Sequence, residues 1–378
     1  MKEPSFPVIA SPPRQEPAVF FFRRVDKTGV LRYIMYVMEN PVDNSLTPES
    51  LLGAEIDGFR LESLLGSGSY GVVYLARHLM MDRLFAFKIL FAEFSENQES
   101  VNEFFRESKT AAKLEHPNVV QAFQAGRTPE GLCYFVMEYV DGSSIEELRI
   151  NSPELLSLKF ILEISIQLAD ALDYAWTTRG IIHRDIKPGN LLVCRADRKL
   201  KLADLGLAGV GSNVSAGEIV ATPLYMAPEV AAGHKSTHAV SDIYSFGVMF
   251  YELAAGKPPF TGSVESLLLA HIEQTPEPLL EANPDLDPEL AAYIDSMLAK
   301  SPAERPQSWG EIRERLNDIR ERLFFRNSAP AEMGAFLQSE PEEENWEKEH
   351  AQEHNPWIFI IAALFIAAAA AAAVVFFF

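Results

Sequence analysis

Two short polar motifs constrain this chain more than any other feature of its sequence. The first is His183-Arg184-Asp185-Ile186-Lys187-Pro188-Gly189-Asn190, and the second, Asp204-Leu205-Gly206, begins fourteen residues after the first one ends. A single carboxylate in a surface turn is common and needs no function. A surface turn without function does not account for this whole set of carboxylate, lysine and amide side chains. The two motifs therefore predict a functional site.

A glycine-rich segment lies upstream, with GxGxxG spacing at residues 66–71. Dinucleotide-binding folds use the same spacing, but their glycines open a helix, whereas Gly71 leads into the β-branched, apolar residues 72–76. A hairpin of this kind lets backbone amides approach phosphate oxygens with no Cβ in the way. The segment predicts a phosphate-covering hairpin, although by itself it also fits a tight hairpin without a ligand.

The next predicted strand carries one lysine, Lys88, in an otherwise apolar run. Such a lysine is usually exposed at a sheet edge, but this one has candidate partners. Helical spacing over residues 97–114 places Glu103 and Glu107 on one face, one turn apart. A lysine held by a carboxylate can place its charge on the α- and β-phosphates of a nucleotide. The spacing alone leaves both glutamates open as the partner.

Taken in this order, the motifs resemble the eukaryotic-like serine/threonine kinases, and the bacterial branch of that family in particular. The resemblance covers residues 59–325 and also includes Ala86-Phe87-Lys88, Ala227-Pro228-Glu229 and Ser241-Asp242-Ile243-Tyr244-Ser245-Phe246-Gly247. It implies an α+β fold of two lobes with ATP between them: a small antiparallel β lobe with one helix, and a larger, mainly helical lobe. Leu205 and Phe87 depart from the family pattern, but both are apolar packing positions.

The resemblance implies a serine/threonine protein kinase that transfers the γ-phosphate of ATP to protein hydroxyl groups, including its own. Asp185 resembles the catalytic base that orients the substrate hydroxyl, and Lys187 resembles the residue that stabilises the γ-phosphate. Lys88 completes the catalytic set. Asn190 and Asp204 resemble the ligands of Mg²⁺, with Mn²⁺ as an alternative, and their oxygen atoms suit a hard cation.

The resemblance also implies a nucleotide-binding set. It comprises Leu65, Gly66, Ser67, Gly68, Ser69, Tyr70, Gly71, Val73, Ala86, Lys88, Glu107, Met137, Glu138 and Val140. Met137 resembles the residue at the back of the pocket, and residues 138–140 the hinge that binds adenine through its backbone. Glu107 is favoured over Glu103 because it follows Arg106, as in the family pattern.

Other positions resemble supporting parts of the larger lobe. Glu229 and Arg305 resemble a buried ion pair, and Asp242 the residue that holds the backbone of the first polar motif. Thr222, which precedes the strand-like residues 224–226, resembles a residue of the loop that receives the substrate. Residues 158–176 have the apolar periodicity of a core helix, with Gly180 as its cap.

Regulation is expected from residues 207–221, the activation loop by position. Arg184 precedes Asp185, which in the family usually means that a loop phosphate must neutralise the arginine. Ser212 and Ser215 are the hydroxyl residues of this segment. The alternative is a loop that is active without modification.

Composition excludes some functions. The net charge of −20 argues against a nucleic-acid partner, because binding phosphate backbones requires a basic face. Cys133 and Cys194 lack metal-ligand spacing, so we expect a reducing compartment and ordinary buried thiols. Residues 326–356, with eight glutamates, predict a solvated linker.

The two ends predict an extension and an anchor. Residues 1–58 form an N-terminal extension in which residues 18–22 and 30–38 predict a β-hairpin. Residues 357–378 contain no charge, and as a helix they would span about 33 Å against a hydrocarbon core of about 30 Å. The sequence predicts a single-pass protein of the cell membrane with its kinase domain in the cytoplasm; an apolar tail docked on the protein is the alternative.

Three questions stay open at this point. The chain could be a nucleotide-binding pseudokinase scaffold at the membrane, and residues 1–58 could add an adaptor function. The sequence identifies neither the protein substrates nor the activating stimulus. It also does not decide whether the chain forms a homodimer.

Overall fold

The computed structural model describes residues 48–68, 71–91, 95, 98–205, 222–234 and 238–325, together with the strands at residues 19–25 and 31–37. Several predicted features lie outside this part of the chain: residues 69–70, the segment 206–221 with Ser212 and Ser215, the linker and the C-terminal apolar run. The side chains of Glu103 and Glu107 also lie outside it. Among the described helices, none is long and apolar enough to cross a membrane.

The strands form three antiparallel sheets. They are β1 (Val19–Val25), β2 (Leu31–Val37), β3 (Glu55–Ile56), β4 (Phe59–Gly68), β5 (Gly71–His78), β6 (Arg83–Leu90), β7 (Ala122–Arg127), β8 (Cys133–Glu138), β9 (Gly142–Ser144), β10 (Leu191–Cys194) and β11 (Leu200–Leu202). The predicted N-terminal hairpin is confirmed, since β1 and β2 pair with Val19 opposite Val37. A six-stranded sheet in the order β3-β4-β5-β6-β8-β7 builds the small lobe.

Both faces of the small-lobe sheet are apolar. Helix α1 (Gln98–Ala111) packs Phe104 against one face, where Cys133 and Phe135 are buried. On the opposite face, Phe87 stacks on Tyr134 with ring centroids 4.7 Å apart. Alternation along each strand sends successive side chains into these two layers, which makes the sheet a rigid support for Lys88.

The ordered small lobe begins before Phe59. Residues Pro48–Leu51 form a 3₁₀ helix, and β3 pairs with β4. The Gly53 N–H donates to the Leu61 carbonyl at 2.7 Å, and the Leu61 N–H donates to the Ala54 carbonyl at 3.0 Å. Part of the predicted N-terminal extension is therefore hydrogen-bonded into the sheet.

The large lobe is mainly helical. Its helices are α2 (Ile145–Asn151), α3 (Leu158–Arg179), α4 (Pro228–Ala231), α5 (Val240–Ala255), α6 (Val264–Glu273), α7 (Leu279–Ala282), α8 (Pro288–Met297) and α9 (Trp309–Phe324). The predicted core helix is confirmed: α3 begins after the N-cap Ser157 and ends at Gly180, whose φ of +64° suits glycine. The two-lobed α+β architecture is likewise confirmed.

Two local predictions were wrong. Residues 224–226 were expected to be strand-like, but Pro223–Tyr225 is a 3₁₀ helix, because proline at its first position fixes a helical φ and gives up no N–H. Cys194 was expected to be a buried thiol, but it lies half-buried at the end of β10. Partial burial raises the pKa of its thiol.

Candidate active site

The first polar motif lies on the loop between α3 and β10, and α5 holds its backbone in place. The buried Asp242 carboxylate accepts hydrogen bonds from the backbone N–H groups of His183, at 2.6 Å, and Arg184, at 2.8 Å. Arg184 has a φ of +67°, a backbone conformation that residues other than glycine rarely adopt. The two hydrogen bonds to Asp242 stabilise this turn, which confirms the predicted role of that residue.

His183 connects the two polar motifs. Its ring is buried, its Nδ1 accepts from the Asp185 N–H at 3.2 Å, and its Nε2 lies 3.0 Å from the Ala203 carbonyl. Since a carbonyl only accepts, Nε2 carries the proton and the imidazole is the neutral Nε2–H tautomer. The carbonyl of Asn190 also accepts from the Ala203 N–H at 2.9 Å. Asp204 thus follows a residue that is fixed to the first motif.

Asp185 is the centre of a compact group of donors. Its Oδ2 lies 2.7 Å from Lys187 Nζ and accepts from Asn190 Nδ2 at 3.0 Å. Its Oδ1 accepts from the Thr222 hydroxyl at 3.0 Å, and that hydroxyl accepts from Lys187 Nζ at 3.0 Å. Burial opposes ionisation, but the charge and hydrogen bond of Lys187 outweigh it and hold the pKa of Asp185 below its ordinary value. The carboxylate is therefore ionised at neutral pH and can accept a proton.

Lys88 joins the two lobes. It lies on β6, which pairs with β5 on one side and β8 on the other, and only 2% of its surface is exposed. Its Nζ is 2.8 Å from each carboxylate oxygen of Asp204. The structure thus brings a lysine and a carboxylate that are 116 residues apart into direct contact.

Asn190 and Asp204 have the donor atoms that Mg²⁺ requires. The Asn190 Nδ2 group donates to the carbonyl and to the carboxylate of Asp185, so Oδ1 is the amide atom suited to a cation. Within the described ranges, no group of three or more His, Cys, Asp or Glu residues forms a metal cage. Mg²⁺ in phosphate-transfer sites commonly takes one or two protein oxygens and completes its shell with phosphates and water. The two residues fit that arrangement.

The glycine-rich hairpin is formed by β4 and β5, with Gly68 opposite Gly71. A Cβ at Gly71 would overlap the carbonyl of Ile89 on β6, so this glycine is required by the close approach of the strands. A Cβ at Gly66 would meet nothing within 4 Å. Ser67 pairs opposite Val72.

Most of the other predicted nucleotide-binding residues lie on strands β4, β5, β6 and β8 of the small-lobe sheet and just after β8. Val73 on β5 lies opposite Lys88, and Ala86 on β6 lies opposite Met137. Met137 lines a small cavity behind the site, together with Asp204 and Leu205. The predicted hinge begins at Glu138, the last residue of β8, whose carboxylate lies 2.9 Å from Lys201 Nζ; Val140 in the same segment is half-buried. Leu65, on β4, is exposed.

The predicted Glu229–Arg305 ion pair is confirmed. Arg305 binds the carboxylate in a bidentate manner, at 2.9 and 2.8 Å, and also donates to the carbonyls of Ala299, Val240 and Lys300. Burial raises the pKa of Glu229, but the hydrogen bonds and charge of Arg305 outweigh it and lower the pKa overall. All the donors of this guanidinium group are directed at protein acceptors, so its role is architectural.

Sequence reasoning missed a second set of polar contacts beneath Thr222. The Tyr225 hydroxyl donates to the buried carboxylate of Glu252 on α5 at 2.6 Å, and His271 on α6 contacts the Leu224 carbonyl at 3.1 Å. Glu252 offered a signal, because a charged residue inside the apolar run of α5 needs a buried partner. His271 offered none beyond its position on an apolar helix.

Comparison with known proteins identifies the family. The protein kinase domain profile matches residues 59–317. The chain belongs to the protein kinase family. Its kinase domain is 37% identical over 269 residues to the serine/threonine-protein kinase PknJ of Mycobacterium tuberculosis and 35% identical over 274 residues to PknB of Mycolicibacterium smegmatis. It is therefore a kinase domain of the bacterial serine/threonine type.

Coverage and a solved structure define the extent of the similarity. The matches span 69% and 70% of this chain but only 45% of PknJ and 43% of PknB, so the chain spans about half the length of these relatives. The crystal structure of the M. tuberculosis PknI kinase domain superposes with a TM-score of 0.58 at 30% identity, over 71% of this chain and 98% of that domain.

Proposed function

We propose that this chain transfers the γ-phosphate of ATP to serine and threonine hydroxyl groups of proteins, including its own. The observation that carries the proposal is the ionised Asp185 carboxylate, held by Lys187 and Asn190 while it accepts a hydrogen bond from the Thr222 hydroxyl. A carboxylate that accepts from one hydroxyl group can accept from that of a substrate. The relatives named as serine/threonine kinases support the same activity.

Each residue has a defined task in this reaction. Asp185 orients the substrate hydroxyl and takes its proton as the oxygen bonds to the γ-phosphorus and the bond to ADP breaks. Lys187, beside Asp185, offsets the charge of the transferring phosphoryl group. Lys88 holds the α- and β-phosphates.

Divalent metal completes the site. Asn190 and Asp204 would hold Mg²⁺ or Mn²⁺, which when bound neutralises phosphate charge. A pseudokinase scaffold is disfavoured, since it predicts loss of at least one of Lys88, Asp185, Asn190 or Asp204, and all four are present.

Phosphate transfer by the full chain tests the proposal. With ATP and Mg²⁺, the wild-type protein should phosphorylate a basic protein and itself on Ser and Thr. Asp185→Asn and Lys88→Met should each lower the rate by a factor of about 10² or more, because each removes a positioned base or charge. Asp197→Asn, at an exposed turn, is the matched control. ATP binding without transfer under any metal would contradict the enzyme and favour the scaffold.

We also propose that a phosphate on Ser212 or Ser215 activates the enzyme. Arg184 immediately precedes the catalytic Asp185, and a phosphate would order the loop through charge-assisted hydrogen bonds to arginine. The double variant Ser212→Ala, Ser215→Ala should lose most of its activity and the corresponding loop phosphopeptides. Unchanged rates would show that the loop is active without modification.

Residues 357–378 support a third proposal, that the chain is anchored in the cell membrane with its kinase domain in the cytoplasm, where ATP is. These residues carry no charge, begin with an interfacial Trp357 and are long enough to span a bilayer as a helix. The full chain should stay in the membrane fraction through an alkaline wash, whereas a chain ending at Asn355 should be released. Release of the full chain would rule out a spanning anchor.

A further inference from the structure

A histidine that is remote from the phosphate site holds the segment bearing Thr222. His271 on α6 has no exposed surface and lies between two hydrogen-bond partners. Its Nε2 is 3.1 Å from the Leu224 carbonyl, and its Nδ1 is 2.9 Å from the Tyr244 hydroxyl on α5. A carbonyl only accepts, so Nε2 donates; Nδ1 is then an acceptor, and the Tyr244 hydroxyl donates to it. The two partners therefore fix one tautomer and one ring orientation.

The surroundings keep this imidazole neutral. Burial lowers the pKa of His271 to about 4, with a further contribution from the charge of Lys300. Lys300 Nζ donates to the carbonyls of Ala270 and His271 at the end of α6. The Arg305 guanidinium lies over the Tyr244 ring, 4.9 Å from its centroid, and is paired with Glu229. A neutral donor in fixed orientation thus faces Leu224 throughout the physiological pH range.

The carbonyl that His271 binds belongs to the turn that presents Thr222. The Tyr225 N–H donates to the Thr222 carbonyl at 3.2 Å, which closes the 3₁₀ turn of residues Pro223–Tyr225. At one end of this turn, the Thr222 hydroxyl contacts both Asp185 and Lys187. At the other end, the Tyr225 hydroxyl is held by Glu252. His271 therefore holds the middle of a short segment whose first residue touches the catalytic base.

We propose that His271 is a positioning residue for the protein substrate. Through the Leu224 carbonyl it fixes the turn against which the substrate's main chain must lie, so that the serine or threonine hydroxyl reaches Asp185. The predicted ATP-binding residues Lys88 and Met137 lie on strands β6 and β8 of the small-lobe sheet, whereas His271 lies on α6 of the large lobe. Loss of His271 is therefore expected to weaken the use of protein substrate and to leave the use of ATP nearly unchanged. The inference rests on the proposed kinase function.

Steady-state kinetics of the full chain with histone as the protein substrate test this role. His271→Ala should raise the KM for histone about tenfold, the size expected for one lost positioning hydrogen bond, while the KM for ATP stays within about twofold. His271→Gln should restore most of the wild-type value, because an amide N–H can donate to Leu224 while its carbonyl accepts from Tyr244. His234→Ala, at an exposed histidine of the same lobe, is the matched control and should behave as wild type.

The other outcomes are equally decisive. Equal changes in both KM values of a folded His271→Ala enzyme would show that His271 acts only in packing and would overturn the inference. So would a His271→Ala enzyme that matches an active wild type. Should His271→Ala fail to fold, Tyr244→Phe removes only the hydroxyl that orients the ring, and it should shift the KM for histone in the same direction. A wild type that transfers no phosphate would instead overturn the proposed function itself.

Discussion

The two lobes use their charged side chains differently. In the small lobe, Lys88 is buried at the active site, but Arg60 and Arg77 form ion pairs at the surface. In the large lobe, Arg305 is enclosed with Glu229, and His271 is enclosed between helices. Exposed ion pairs contribute little to stability, whereas breaking a buried ion pair leaves a charged group with neither water nor a partner. The large lobe thus fixes the catalytic loops with buried polar contacts, while the small lobe depends on its apolar layers.

Removing the enclosed arginine should have the largest effect. Arg305→Met leaves Glu229 without its bidentate partner and three backbone carbonyls without a donor, so we expect a loss of about 3–5 kcal/mol in the free energy of unfolding. Denaturant titration measures it. Arg315→Met, at an exposed arginine paired with Glu289, is the matched control. Similar midpoints for the two variants would show that the enclosed Arg305 contributes no more to stability than an exposed arginine, and would remove the basis for contrasting the lobes.

His271 should make the stability of the large lobe depend on pH. Its pKa is about 4 when folded against an ordinary value of 6.5, so between these values the unfolded chain binds more protons. The contribution of His271 to the free energy of unfolding is complete above pH 6.5 and is lost as the pH decreases to about 4. The total loss is about 3 kcal/mol, at 1.36 kcal/mol per pKa unit. Denaturation at several pH values should show a smaller fall for His271→Gln, which does not titrate. Parallel profiles would contradict this source of acid sensitivity.

The buried phenol of the small lobe should have a smaller effect. The Tyr134 hydroxyl contacts Asp57 and accepts from Gln124, and burial, with the hydrogen bond to Asp57, raises its pKa to about 12. Tyr134→Phe removes these hydrogen bonds but keeps the ring stacked on Phe87, so we expect a loss of about 1 kcal/mol. Asp57→Asn keeps a hydrogen-bond acceptor and should cost less. A loss as large as that of Arg305→Met would show that the small lobe also depends on a buried polar contact.

The smallest effect is expected at the small-lobe surface. Arg77 binds Glu62 and Asp82, but its side chain is more than a third exposed. We expect Arg77→Gln to leave the denaturation midpoint and the transfer rate unchanged, since water replaces the lost ion pairs. A clear shift of the midpoint would mean that these surface pairs act as a network.

The sequence predicted a functional site from its two polar motifs, and through the family resemblance that they carry it predicted the two-lobed fold and the residue roles around Asp185. These features depend on short segments whose residue types and spacing are tied to local chemistry, such as glycines at a close backbone approach and a proline-flanked loop. It also predicted the Glu229–Arg305 pair, but only through the family resemblance, because the two residues are 76 positions apart.

Only the tertiary structure revealed what holds the turn at Thr222. Leu224 and His271 are 47 residues apart, and Tyr225 and Glu252 are 27 apart, so neither contact leaves a periodic pattern in the sequence. The local prediction at residues 224–226 was wrong for a different reason, because this apolar triplet looks strand-like by itself and the preceding Pro223 starts a 3₁₀ helix. The sequence determined which groups can perform the chemistry. The packing of α5 and α6 decided where the turn lies. Buried polar groups need hydrogen-bond partners, and only the folded chain brings Leu224 beside His271 and Tyr225 beside Glu252.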